Sequence, residues 1–168
     1  MITENEISLE KFVLLQTGEI AIDNGELIIN SGPLGSCIAV VIVDPCNVIG
    51  GIAHVMLPGT NKHVLSESDC RYAEGAIPTL VDKLINGGSV KKNMKAFAIG
   101  AGNVLKSPND IICVPIINSV SSCLKNFGIP IEKTALGGHD RKSAILDIQH
   151  RQIRYTVGDS AENVFYEF

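Results

Sequence analysis

Two apolar runs in the first third of the chain dominate its pattern. Cys37 to Val43 is continuous and rich in β-branched residues, and Asp44-Pro45 ends it. Gly50 to Leu57 is a second run with a single His inside it. Short apolar runs bounded by turn residues read as strands. The spacing predicts an antiparallel pair that turns near Pro45-Cys46-Asn47. Cys37 then stands at the mouth of the first strand and His54 inside the second. Cross-strand and diagonal neighbours lie roughly 4.5–8 Å apart at Cβ, so the two side chains are within reach.

The rest of the chain is read the same way. Phe12 to Leu15 is a short apolar run after an adaptable lead-in over residues 1–10. Ile20 to Ile22 and Leu27 to Ile29 flank Asp23-Asn24-Gly25, and Asn-Gly between apolar runs predicts a hairpin. Ile77, Leu80, Val81, Leu84 and Ile85 recur at helical spacing. Ser66 or Ser68 would cap that helix, and Asn86-Gly87-Gly88 stops it. Pro78 predicts a kink or a late start. Met94 to Ile99 is a strand leading to Gly100-Ala101-Gly102. Pro115 suits only a first turn, so a second helix starts near Val114 and ends before Gly128, with Ile117, Val120, Leu124 and Phe127 on its face. Pro130 to Leu136, Ser143 to Ile148 and Ile153 to Val157 are strands. Residues 158–168 read as a tail. The pattern is that of one α+β domain over residues 1–168, with many short strands, two main helices and no regular βαβ alternation.

Composition narrows the function classes. The chain has 168 residues, 45% hydrophobic and 19% charged, with a net charge of −4. Mean hydropathy is +0.23. These values suit a packed core and oppose disorder. The acidic balance gives no footprint for nucleic acid or an anionic membrane. Met1 to Glu6 lacks the basic and apolar regions of a signal peptide, and the longest apolar run is too short to span a bilayer. Five cysteines without a secretion signal suggest reduced thiols in the cytoplasm. No CxxC spacing supports a metal site. Gly100-Ala101-Gly102 follows a strand but matches no phosphate-binding motif, and no cofactor is implied. His63, His139 and His150 read as surface residues of loops and turns, although a loop His near the second strand can touch a substrate.

The chemistry concentrates on Cys37 and His54. A free thiol of pKa ~8.5 is mostly protonated at neutral pH, so a nucleophilic Cys needs a base. An imidazole can take the proton and return it to a leaving group. Gly35 and Ser36 keep the approach to the thiol bare, and their amides could point at an oxyanion. An inert Cys beside a core His is the alternative reading.

The segments Leu34-Gly35-Ser36-Cys37-Ile38-Ala39-Val40, Asp44-Pro45 and Gly51-Ile52-Ala53-His54-Val55-Met56-Leu57-Pro58 resemble the signature of the CheD family, the chemoreceptor glutamine deamidases. The resemblance implies that Cys37 and His54 are the catalytic pair. The third catalytic position, a Thr six residues before the Cys, falls on Ser31, which keeps the hydroxyl. It also implies a layered α/β/β/α arrangement related to cysteine hydrolases. The implied reaction converts Gln to Glu on the cytoplasmic helices of chemoreceptors, without metal or organic cofactor. A CheC-type phosphatase is the implied partner, and a catalytically weakened CheC-binding module is the alternative. A cysteine peptidase or amidase for another substrate is a third reading. Arg71-Tyr72-Ala73 and Gly137-Gly138 match the family. Pro33 stands where relatives often have Gly, and Gly100-Ala101-Gly102 where they usually have Gly-Gly-Ala. Ile112-Cys113-Val114-Pro115-Ile116 replaces an Ile-Gly-x-Arg-Asn pattern. The family's Arg after the Gly-Gly turn is displaced to Arg141 or replaced by Lys142.

Overall fold

The computed structural model describes residues 11–63 and 69–168. Its strands are β1 (Lys11–Leu14), β2 (Ile20–Asp23), β3 (Leu27–Asn30), β4 (Ile38–Asp44), β5 (Ile49–Val55), β6 (Lys95–Gly100), β7 (Ile131–Leu136), β8 (Lys142–Asp147), β9 (Gln152–Val157) and β10 (Asn163–Glu167). Its helices are α1 (Ala73–Asn86) and α2 (Cys113–Asn126).

Two mixed five-stranded sheets form, in the orders β1-β3-β8-β9-β10 and β2-β5-β4-β6-β7. The second sheet lies between the first sheet and the helices. Ile38, Val40 and Ile42 of β4 pack toward Ile77, Leu80 and Val120 of the helices. Ala39, Val41 and Val43 face Ile29 and Leu146 of the other sheet. A strand covered on both faces has no polar side, which is why β4 reads as an unbroken apolar run. Each Val or Ile side chain among them taken from water contributes about 1.5–3 kcal/mol.

The α+β class, two mixed sheets and two helices agree with the sequence reading. The layering differs in one respect. Among the described residues both helices cover the same sheet, giving α/β/β, and no fourth helical layer is present. Their apolar stripes share one core cluster with β4 and β5.

Three further expectations change. The strands around Asp23-Asn24-Gly25 exist, but they do not pair as a hairpin. β2 joins β5 and β3 joins β1 and β8, so the chain crosses between sheets at this turn. The Asp23 carboxylate accepts the amides of Gly25, Glu26 and Leu27 and fixes the corner. Residues 158–168 are no tail: β10 pairs with β9, and Phe165 is only 5% exposed against Phe97 and Tyr155. α1 begins at Ala73, so Pro78 lies inside it rather than ahead of a late start. The carbonyl freed by Pro78 belongs to Glu74, a solvent-exposed residue, which keeps the cost low. The Ser66 or Ser68 cap falls outside the described residues, as does the lead-in over residues 1–10. The first amides of α1 bond to the carbonyls of Leu57 and Gly59 in the loop leaving β5.

Candidate active site

β4 and β5 set the geometry. Their antiparallel register pairs Ala39 with His54 and Ile38 with Val55. Cys37 immediately precedes β4, two residues before Ala39, and therefore points to the same face as Ala39. That face looks toward the other sheet, and Cys37 packs at the edge of the inter-sheet core. Cys37 and His54 are thus diagonal neighbours on one face of one strand pair, the placement expected from sequence.

Both groups are shielded. His54 is 4% exposed, and Cys37 is half-buried. Burial pushes the Cys37 thiol above its ordinary value. Burial also pushes His54 below 6.5. The main-chain carbonyls of Ser31 and Leu15 and the charge of Glu19 oppose that shift without cancelling it. Neither ring nitrogen of His54 has a hydrogen-bond partner of good geometry among the described residues.

Ser31 lies beside this pair, fully buried, but its hydroxyl is committed elsewhere. Oγ donates to the Gly32 carbonyl at 2.8 Å and accepts the Ala144 amide at 2.9 Å. The Ser31 amide donates to the Ala144 carbonyl. The side chain ties the end of β3 to β8, and it is the Ser31 carbonyl that approaches the imidazole. Leu15 and Glu19 were invisible in the sequence as site residues. Thr17-Gly18-Glu19 signals only a turn, yet that turn docks on β5: Gly18 donates to the His54 carbonyl, and the His54 amide donates to the Glu19 carbonyl. Gly32 adopts φ +72°, and a Cβ there would stand 3.0 Å from the Leu15 carbonyl oxygen.

The nucleophile loop is held from one side and open on the other. The Leu34 amide donates to Lys142, and the Lys142 amide donates back. Ala101 donates to the Cys37 carbonyl at 2.7 Å and Gly102 to the Gly35 carbonyl at 2.8 Å. At Gly100, φ is +127° and a Cβ would overlap the Cys37 carbonyl oxygen. Among the described residues, no acceptor takes the amides of Gly35, Ser36 or Cys37. Gly35 and Ser36 line a groove of about 560 Å³ with Pro33, Val104, Leu105 and Ile111. Its lip is apolar and exposed, with Leu105 at 91%.

Three of the departures from the family pattern, Pro33, Pro115 and Ile116, sit where the fold accommodates them. Pro33 is exposed. Pro115 occupies the first turn of α2, where an amide would be unpaired in any case. Ile116 is a core residue. The Asp110 carboxylate caps this helix by accepting the amides of Ile112 and Cys113, a cap that the sequence reading missed. His63 and His139 are exposed, as expected, and His139 Nδ1 lies 3.1 Å from the Asn103 carbonyl oxygen. His150 is bonded to Asp147. Among the described residues, no cluster of three or more His, Cys, Asp or Glu is arranged to hold a metal ion, and no helix is long and apolar enough to cross a membrane.

Comparison with known proteins gives the family. A family model described as CheD chemotactic sensory transduction matches residues 56–156. A probable chemoreceptor glutamine deamidase CheD from Chlorobium luteolum is 33% identical over 156 residues, covering 93% of this chain and 78% of that protein. The similarly named protein of Clostridium novyi is 32% identical over 130 residues, covering 74% of this chain and 80% of its own. That of Methanococcus vannielii is 28% identical over 133 residues, covering 78% and 86%. The family-model match begins just past His54, but the Chlorobium similarity leaves too few residues outside it to omit positions 31–54. The chain belongs to the CheD family.

Proposed function

We propose that this protein hydrolyses the side-chain amide of glutamine on chemoreceptors, leaving glutamate, and that Cys37 and His54 carry the reaction. The observation that carries the reading is the β4–β5 register, which sets a half-buried thiol and a neutral imidazole on one face. Cys37 Sγ attacks the carboxamide carbon while its proton passes to His54. The tetrahedral oxyanion meets the amides of the Gly35-Ser36-Cys37 loop, which no acceptor among the described residues takes. His54 returns the proton to the departing nitrogen, the C–N bond breaks, and ammonia leaves a thioester. Water attacks the thioester as His54 takes a proton from it. The C–S bond breaks, glutamate is released, and Cys37 recovers the proton.

Ser31 serves this pair as a positioning residue. Its hydroxyl locks β3 to β8, and its carbonyl favours the imidazolium that forms in each half-reaction. No step requires a metal or an organic cofactor. Chemoreceptor helices in the cytoplasm are the substrate in this reading.

Ammonia release from a cytoplasmic receptor fragment tests it. Cys37→Ala should abolish release while the fold survives. Release at the unmutated rate from Cys37→Ala would overturn the mechanism. Cleavage of the receptor backbone would instead indicate a peptidase.

A second reading rests on the exposed apolar lip. Val104, Leu105 and Ile111 form an exposed apolar surface beside the nucleophile loop, of the kind that binds a protein. A CheC-type phosphatase is the partner that this reading assigns to it. A protein that binds CheC but leaves every receptor amide intact would be a binding module.

A further inference from the structure

Lys142 is a lysine where burial is unusual. It is 8% exposed, and it sits at the start of β8 directly opposite Leu34 of the nucleophile loop. Lysine is almost never buried unless its ammonium is satisfied. Here Nζ donates to the Gly137 carbonyl at 2.5 Å and reaches the Asp140 carbonyl at 3.4 Å. Both carbonyls belong to the Gly137–Asp140 turn. Gly137 and Gly138 have φ of +81° and +74°, a conformation that glycine enters readily and that rigidifies only when something holds it.

That turn supports the segment beneath the nucleophile. Gly137 donates to the Gly100 carbonyl, and Asn103 donates to the Gly138 carbonyl. A Cβ on Gly102 would stand 2.7 Å from the Asp140 carbonyl oxygen, so the two segments touch through bare backbone. From Ala101 and Gly102 the bonds run on to the carbonyls of Cys37 and Gly35. Lys142 therefore grips the nucleophile loop at two points. Its main chain holds Leu34 directly, and its ammonium holds the turn that braces residues 100–103.

We infer that Lys142 is a positioning residue of the deamidation site, whose ammonium fixes the Gly137–Asp140 turn and, through residues 100–103, the direction of the Cys37 thiol and the loop amides. The inference rests on the deamidase reading for its kinetic consequence but not for its geometry. Among the described residues, the hydrogen bonds of Lys142 Nζ go to the Gly137 and Asp140 carbonyls and not to Cys37. Loss of its charge should spoil alignment rather than binding.

The test compares Lys142→Met, Lys142→Gln and Lys142→Arg with the unmutated protein, well below each melting temperature. Two readouts are taken: kcat and KM for ammonia release from a receptor fragment, and iodoacetamide alkylation followed at the Cys37 peptide. Lys142→Met should lower kcat by at least about tenfold, since small misplacements of reacting groups cost this much or more. KM should stay within twofold, and Lys142→Arg should recover most of the loss. Alkylation of Cys37 should become several-fold faster in Lys142→Met as the loop loosens, opposite in direction to kcat. A folded Lys142→Met with kcat within twofold of normal would overturn the inference. So would a raised KM at constant kcat, or an Arg variant as impaired as the Met variant. If Lys142→Met does not fold, the Gln and Arg variants decide: loss in Gln with recovery in Arg supports the role, and full activity in both refutes it. If the unmutated protein deamidates no receptor, the reading of function fails. Alkylation still decides the positioning role, and equal Cys37 rates in the Met variant and the unmutated protein would refute it.

Discussion

With the Cys37 thiol pushed up and His54 pushed down, the pair rests as thiol and neutral imidazole rather than as an ion pair. The catalytic form needs His54 neutral, so activity must fall only when pH drops through the lowered His54 value. The acid limb of kcat/KM is expected below 6.5, the ordinary imidazole value. Alkylation of Cys37 should follow a titration above 9.0. A Cys37 that alkylates as a thiolate near neutral pH would contradict this resting state. Truncation separates the roles of the two neighbours. His54→Ala removes the proton carrier and should cost about 10²–10⁴ in rate. Ser31→Ala should cost about tenfold or less, because the carbonyl remains. It should also destabilise the fold by about 1–3 kcal/mol, because the buried Ala144 amide loses its acceptor. Ammonia-release kinetics and urea unfolding of the two variants check both expectations.

At the scale of elements, the site depends on loops that approach through bare backbone. Gly100→Ala places a methyl group on the Cys37 carbonyl oxygen at a φ that side chains rarely adopt. It should destabilise the protein by more than about 2 kcal/mol and depress activity in whatever folds, measured by melting and ammonia release. β10 offers a second check. Phe165→Ala should cost about 3–5 kcal/mol, the range for removing a buried aromatic, where a tail residue would cost almost nothing. Strand and helix positions were legible because the apolar periods survive any topology. The pairing of β2 and β3 was not, since a chain that turns a corner between sheets keeps the same Asn-Gly signal as a hairpin. The layer occupied by the helices was not legible either: an amphipathic stripe says that a face is covered, not which sheet covers it. β10 was missed because Val164, Phe165 and Tyr166 make a run of only three apolar residues, and the register shift between Val164 and Tyr166 breaks any alternation. Cys37 and His54 were legible because one short turn fixes their register. Leu15, Glu19 and Lys142 reach the site through long-range contacts that leave no local signal.

Across the whole molecule, Asp44 joins the β4–β5 turn to the connection between α1 and β6. Its carboxylate accepts from Cys46, Asn47, Ser89 and Val90. Burial alone would raise its pKa, but these bonds prevail and hold it below 3.8. A carboxyl held low stabilises the fold at pH above its unfolded value, and that stability disappears as pH falls through the folded value. Asp44→Asn should therefore lower the melting temperature at pH 7 and lower it less as pH drops below 3.8, followed by circular dichroism. Both cores meet at β4, so a thiol at its mouth is fixed by the packing of the whole domain. Intact-mass analysis of a cytoplasmic receptor fragment, after incubation with the protein, measures the chemistry that this arrangement is held to perform. The expected result is a gain of about one dalton per modified glutamine with no chain cleavage, absent with Cys37→Ala, as thiol-based hydrolysis of an amide requires. An unchanged mass on its own receptors, or the same gain from Cys37→Ala, would contradict a Cys37-dependent deamidase.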